Sequence, residues 1–138
     1  MTQSRSFKVH PALIFDVICK QAGSISKAIL ESVMNSVDAG ATECIIEVGS
    51  GRYSVKDDGR GFKDRAEIES FFETFGTPHE AGDAVFGRFR MGRGQGFSFG
   101  VNEWRTGAFA MSVDIKRKGL DYVLNEGLPN HSGCHIVV

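Results

Sequence analysis

Residues 31–42 read Glu31-Ser32-Val33-Met34-Asn35-Ser36-Val37-Asp38-Ala39-Gly40-Ala41-Thr42. Glu31, Asn35 and Asp38 stand at i, i+4 and i+7, which places them on one face of an α-helix turning about 100° per residue. Ser24 is a good N-cap for that helix, expected over roughly 25–39 and closed by Gly40. Ile29, Leu30, Val33, Met34 and Val37 supply the apolar stripe expected to be buried. A face carrying carboxylate, amide and carboxylate suits a metal ion and a water. The amide oxygen of Asn35 is a neutral ligand for a hard cation such as Mg²⁺, and Glu31 can polarise an attacking water. The same spacing also describes a solvated helix face, where charged residues are common.

Downstream of this helix, residues 42–48 and 52–56 read as two strands joined at Gly49-Ser50-Gly51 as a hairpin. Asp57-Asp58-Gly59-Arg60-Gly61 follows as a loop. Its glycines permit positive φ and close approach of a ligand to the backbone, and Asp57 can accept a hydrogen bond from an exocyclic amine; a plain turn has the same composition. Residues 64–75 are expected to be helical, with Ile68, Phe71, Phe72 and Phe75 on the apolar side. Residues 76–86 read as a mobile loop. Residues 87–96 hold four glycines and three arginines. Free N–H groups and guanidinium forks of that kind bind phosphate, and a flexible basic loop looks the same in sequence. No Gly-Lys-Ser/Thr follows, so this is not a P-loop. A helix is expected from about Gly94 to Asn102, then strands over 108–116 and 134–138, with a further one near 121–125.

Upstream, residues 7–10 suit a short edge strand or arm. Pro11 suits the first position of a helix over 12–20, which Leu13, Ile14, Val17 and Ile18 make amphipathic before Gly23 stops it. Helices first, then a hairpin, then helix and strands, predict an α+β fold: a mixed sheet with helices on one face.

The 138 residues suit a single domain, 1–138, with one core, though the end on an apolar strand also fits the N-terminal part of a longer protein. Sixteen basic against 17 acidic side chains, a net charge of -1, give no basic field for bulk nucleic-acid binding. Three cysteines, Cys19, Cys44 and Cys134, are odd in number and lack CxxC spacing, which argues against a disulfide framework or structural zinc and fits a reducing compartment. No apolar run is long enough for a membrane span and no signal core opens the chain, so the expected location is the cytoplasm.

In chain order these motifs resemble the GHKL ATPases, the group of gyrase-type topoisomerases, heat-shock chaperones, histidine kinases and MutL. Residues 31–42 are similar to the family's N-box, above all in chaperone-like and MutL-like members. Asp57-x-Gly59-x-Gly61 resembles its adenine-reading box. Phe75-Gly76-Thr77, Phe86-Gly87 and Met91-Gly92-Arg93-Gly94 resemble the lid and its phosphate-binding glycines. Ser132-Gly133-Cys134 sits where the family has Gly-Thr in a late strand. The likeness covers about residues 7–138. It implies a Bergerat fold, a two-layer α/β sandwich with an ATP lid, binding ATP and Mg²⁺ and hydrolysing ATP slowly to drive a lid or partner switch. By the same resemblance Glu31 is the general base and Asn35 holds Mg²⁺ on the phosphates. Asp57 binds the adenine amine, Gly61 lets the purine lie close, and Asp38 supports them. Gly59, Thr77, Gly92, Arg93, Gly94, Gln95, Gly96 and Cys134 complete the nucleotide contacts.

Two features depart from the family pattern. Cys134 replaces a threonine and is the poorer hydrogen-bonding group. Arg88, Arg90 and Arg93 make the lid unusually basic. Many relatives also complete catalysis with a Lys or Arg from a following domain. The partners implied are ATP and a protein or second protomer. A nucleotide sensor or partner-binding module without turnover is the alternative. A histidine kinase domain fits less well, because those kinases generally lack the water-activating Glu found here at Glu31. Trp104 and the phenylalanines read as core, and Lys116-Arg117-Lys118 as a solvated hairpin end before a turn at Gly119.

Overall fold

The helix over Pro11–Gln21 (α1) begins at the expected proline, and the next, Ile25–Asp38 (α2), begins where Ser24 Oγ accepts from the Lys27 N–H. A computed structural model describes residues 2–21, 23–73 and 96–138 of the chain. The expected loops over 76–86 and 87–95, with Thr77, Gly92, Arg93, Gly94 and Gln95, lie outside those residues.

Strands Cys44–Gly49 (β1) and Arg52–Asp57 (β2) pair antiparallel with Gly49 opposite Arg52, leaving Ser50 and Gly51 as a two-residue loop. Arg65–Glu67 (α3), capped by Asp64, runs on as a π-helical segment Ile68–Glu73. Asn102–Gly107 (β3), Phe109–Val113 (β4), Ile115–Lys118 (α4), Tyr122–Asn125 (β5) and His131–Val137 (β6) complete the chain. The six strands form one sheet ordered β1-β2-β6-β3-β4-β5. Every pairing in it is antiparallel. The α+β class holds, but the sheet is antiparallel rather than mixed, because the late strand β6 returns between β2 and β3 against both.

Strand alternation puts Val55, Trp104, Met111, Val113 and Ile136 on one buried inner face. Ile18, Ile68, Phe72, Phe97 and Phe109 join that core, with Phe15 of α1 packed against it. Trp104, Phe72, Phe97 and Phe109 are core as expected, and Phe15 and Phe62 pack against it; Phe75, Phe86 and Phe89 lie outside the described residues. Phe72 meets Trp104 and Tyr122 edge-on, each at 5.1 Å.

Four further expectations fail. Residues 7–10 form no strand, and Phe7 is fully exposed. The helix expected through Phe97 and Phe99 to Asn102 is a turn over 96–99 followed by a bend, and Asn102 instead opens β3. The stretch at Lys116-Arg117-Lys118 is a helical turn rather than the end of a strand, since Asp114 accepts from the Arg117 N–H and caps it. On α2, Leu30 and Val37 are more than half exposed, while Ala28 and Ser36 are buried. The face that enters the fold is the small one, Ala28, Ser32 and Ser36 at i, i+4 and i+8. Ser32 Oγ donates to Ala28 O, and Ser36 Oγ, 3.1 Å from Ser32 O, has its closer acceptor in Asp57 at 2.7 Å, so no polar group is stranded.

Candidate functional site

β2 ends at Asp57, whose side chain is 9% exposed on the inner face of the sheet. The strand pairing sets Cys44 of β1 directly on one side of it and Cys134 of β6 on the other. Burying a carboxylate is costly unless its oxygens are satisfied. Oδ1 accepts from the Gly59 N–H at 2.9 Å and the Cys134 N–H at 3.2 Å. Oδ2 accepts from Ser36 Oγ at 2.7 Å. The Cys44 thiol lies 3.7 Å from the same hydroxyl. An ionised carboxylate has about four lone-pair positions. Three are taken, and the fourth is on Oδ2.

The loop after β2 is fixed at both ends. Asp58 accepts from the Thr42 hydroxyl, from the Glu43 N–H at 2.9 Å and from the Thr42 N–H at 2.8 Å, which in that order hold its carboxyl below its ordinary value. The Arg60 N–H donates to Ala39 O at 3.0 Å, tying the loop to the C-terminal end of α2. Gly61 has φ +63°, and a Cβ there would run into Thr106 Oγ1 and lie 2.9 Å from Gly133 O. Thr106, fully buried on β3, accepts from the Phe62 N–H at 2.9 Å.

The structure thus gathers Asp57, Gly59, Gly61 and Cys134 at one end of the sheet, with the end of α2 beside them. Glu31 is half-buried on α2, and Asn35 and Asp38 are exposed on it. The α2 residue that touches Asp57 is Ser36. Gly96 is buried, and its carbonyl accepts from Asn102 Nδ2 at 3.0 Å. Burial, and after it the Asp57 carboxylate, push the Cys134 thiol far above its ordinary value, so it remains protonated.

Ser36, Thr106 and Asp58 were not picked out in the sequence. The signal for Ser36 was the i, i+4, i+8 run of small residues on α2, masked by the larger aliphatic residues beside it. The signal for Asp58 was its place between a strand end and a glycine, where Asp side chains accept from nearby backbone.

An N-box-like helix end fastened to an Asp-x-Gly-x-Gly loop at one end of an antiparallel sheet agrees with one further finding. Residues 23–104, more than half of the chain, match the profile of the histidine kinase-, DNA gyrase B- and HSP90-like ATPases. The chain belongs to this family. Comparison with curated proteins finds no match. ATP binding is expected of members of this ATPase family. The matched span includes α2 and the Asp57 loop, while Cys134 on β6 lies beyond it. Among the described residues, no helix is long and apolar enough to cross a membrane.

Proposed function

We propose that this chain binds ATP with Mg²⁺ in a Bergerat-type, two-layer arrangement, with the adenine read by Asp57. The observation that carries the reading is the Asp57 carboxylate, held by Ser36, Gly59 and Cys134 with one lone-pair position left on Oδ2. A buried acceptor of that kind is complementary to the exocyclic amine of adenine. Gly61 has no room for a Cβ between Thr106 and Gly133, so the loop backbone packs close to β3 and β6 beside Asp57, where a purine would lie. In this reading Gly59, Gly96 and Cys134 line the nucleotide site, and Thr77, Gly92, Arg93, Gly94 and Gln95 contact the phosphates.

Asn35 would hold the Mg²⁺. Its neutral amide oxygen, exposed on α2, has the chemistry a hard cation accepts while keeping most of its waters. Bound Mg²⁺ neutralises phosphate charge. Asp38, at the end of α2, supports the helix end beside the adenine loop. Glu31 lies one turn before Asn35 on the same face and would take a proton from an attacking water. Slow hydrolysis that drives a lid or partner switch is the function assigned on this basis. A sensor without turnover would use the same pocket and not need Glu31.

The test is ATP titration with Mg²⁺, followed by thermal stability and product release. Saturation at about 100 times the dissociation constant adds roughly 2.7 kcal/mol of stability. Asp57→Asn should abolish the shift, since it replaces a free acceptor with a group that can present a donor. Glu31→Ala should keep the shift and lose hydrolysis. No shift in the wild type at millimolar ATP would refute the nucleotide reading, and turnover unchanged in Glu31→Ala would refute its role.

A further inference from the structure

The two edges of the sheet are unequal. β5, at one edge, is four residues long, and so short an edge offers little to another strand. β1, at the other edge, runs six residues, Cys44–Gly49, in unbroken register with β2. It holds no lysine, no proline and no bulge, the devices that keep an open edge from pairing. Ile45 on its outer face and Ile46 and Val48 on its inner face are 45%, 44% and 71% exposed.

The backbone of β1 turns to that open side at alternate residues. Tyr53 of β2 exchanges both backbone bonds with Val138, at 3.0 and 2.9 Å, so its N–H and C=O face the β6 side. Val48, which stands opposite Tyr53 on β1, is therefore in a non-hydrogen-bonded pair and directs its own N–H and C=O outward. Ile46 and Cys44 follow by alternation. Among the described residues no strand lies beyond β1 to receive the N–H and C=O groups of these three residues.

We propose that β1 pairs antiparallel with β1 of a second copy of this chain, joining the two sheets about a two-fold axis at Ile46. In that register Ile46 faces Ile46 of the partner subunit, Cys44 faces the partner's Val48, and Ile45 faces the partner's Glu47. The outward-directed residues of the two strands then fall opposite one another, and every N–H and C=O they carry finds a partner. Sliding the strands by the smallest step that keeps those residues opposed sets Glu47 against the partner's Glu47 one way and against the partner's Glu43 the other. Like charges directly opposite are destabilising, so the register centred on Ile46 wins. Glu47 is the single charged side chain of β1, so the edge displays nothing that selects an acidic or basic segment of another protein. A net charge of -1 gives two copies little long-range repulsion. The pairing is isologous and occupies both β1 edges, so it closes as a dimer.

The full chain, without nucleotide, is run in sedimentation velocity over a concentration series from micromolar upward. Wild type should pass from monomer to dimer and stop there. Ile46→Pro removes an N–H that points away from β2, so the hairpin keeps its bonds while the dimer loses one from each copy. Its dimer dissociation constant should rise roughly tenfold or more. Val48→Lys puts a cation on an exposed edge position and should weaken the dimer as much; it tests the seam even if Ile46→Pro unfolds, which far-UV circular dichroism checks. Val48→Cys, oxidised with copper phenanthroline, should link position 48 to Cys44 of the partner subunit, because opposed Cα atoms in such a pair lie about 5.5 Å apart, within disulfide reach. Four outcomes overturn the proposal: a monomer at every concentration, a dimer that Val48→Lys leaves unchanged, a link from position 48 to any sulfur other than Cys44 of the partner subunit, or open-ended growth past the dimer. None of these readouts uses ATP, so this inference and the nucleotide reading fail separately.

Discussion

Ser36 Oγ lies 2.7 Å from Asp57 Oδ2, and this buried contact fastens α2 to the end of β2. The helix that carries Glu31 and Asn35 is thereby set against the strand that ends in Asp57, the carboxylate proposed to read adenine. Ser36→Ala leaves a buried carboxylate oxygen without its donor, and a group so deprived costs about 1–3 kcal/mol. The expected outcome is that loss in urea unfolding, together with nucleotide affinity roughly tenfold weaker because Oδ2 is no longer oriented. Ser36→Thr should restore most of both. Stability lost with affinity unchanged would show that the hydroxyl supports the fold and does not aim Asp57.

Gly61→Ala should destabilise the protein more than Gly127→Ala. Both glycines have positive φ, +63° and +71°, so both substitutions incur the left-handed strain of about 1–2 kcal/mol. Only at Gly61 does the added methyl meet neighbours, Thr106 Oγ1 and Gly133 O; at Gly127 nothing lies within 4 Å. A shift of β3 and β6 to make room would cost a further 1–3 kcal/mol or so. Equal losses in chemical denaturation would mean the loop yields at no cost, and the close approach at Gly61 would lose its meaning.

The parts of the fold legible in the sequence are those where side-chain pattern and local chemistry agree. Ser24 caps α2, Pro11 opens α1, and the Gly49–Arg52 hairpin closes with a two-residue loop, each where the residues indicate. β3 was not legible because its inner face is Asn102, Trp104 and Thr106, two of them polar, so no apolar alternation marks it. Those polar groups are satisfied locally, Asn102 by the Gly96 and Gly100 carbonyls and Thr106 by the Phe62 N–H. The orientation of α2 was misread for a related reason. Apolar bulk selected Leu30 and Val37, whereas close approach to the Asp57 loop requires the small face. At the site, the residue types at Asp57, Gly61 and Cys134 were legible, but their grouping depends on β6 returning between β2 and β3, which no local pattern encodes.

The three free cysteines should label in a fixed order. Cys19 is exposed, Cys44 half-buried against Ser36, and Cys134 buried. Thiolate is the reactive form, and burial together with the Asp57 charge keeps Cys134 protonated. Maleimide labelling followed by peptide mass mapping should modify Cys19 first, Cys44 more slowly, and Cys134 only as fast as the chain unfolds. Raising the pH toward 9 or so should leave the labelling of Cys134 unchanged. Labelling of Cys134 at the Cys19 rate in native protein would contradict its burial beside Asp57.

Stability should fall with acidification in two separable steps, the first set by His135. On the outer face of the sheet this residue stands opposite Lys56 of β2 and Arg105 of β3, and its ring stacks on His131 at 6.4 Å. Burial first, then Lys56 and His131, lower its pKa below the ordinary 6.5, with Glu47 opposing in part. A depressed pKa means the folded state binds fewer protons than the unfolded state below that value. The stabilisation is therefore complete above 6.5 and lost as pH falls through the folded pKa. The second step belongs to Asp58, held down by Thr42 and Glu43, and Glu126, held down by Arg65. Their contributions are present above the ordinary values of 3.8 and 4.5 and disappear below them. Tm measured by circular dichroism should decline for wild type between about pH 7 and about pH 5. His135→Gln should flatten that interval and keep the steeper decline near about pH 4 and below. An identical slope between about pH 7 and about pH 5 in both proteins would remove His135 from the account.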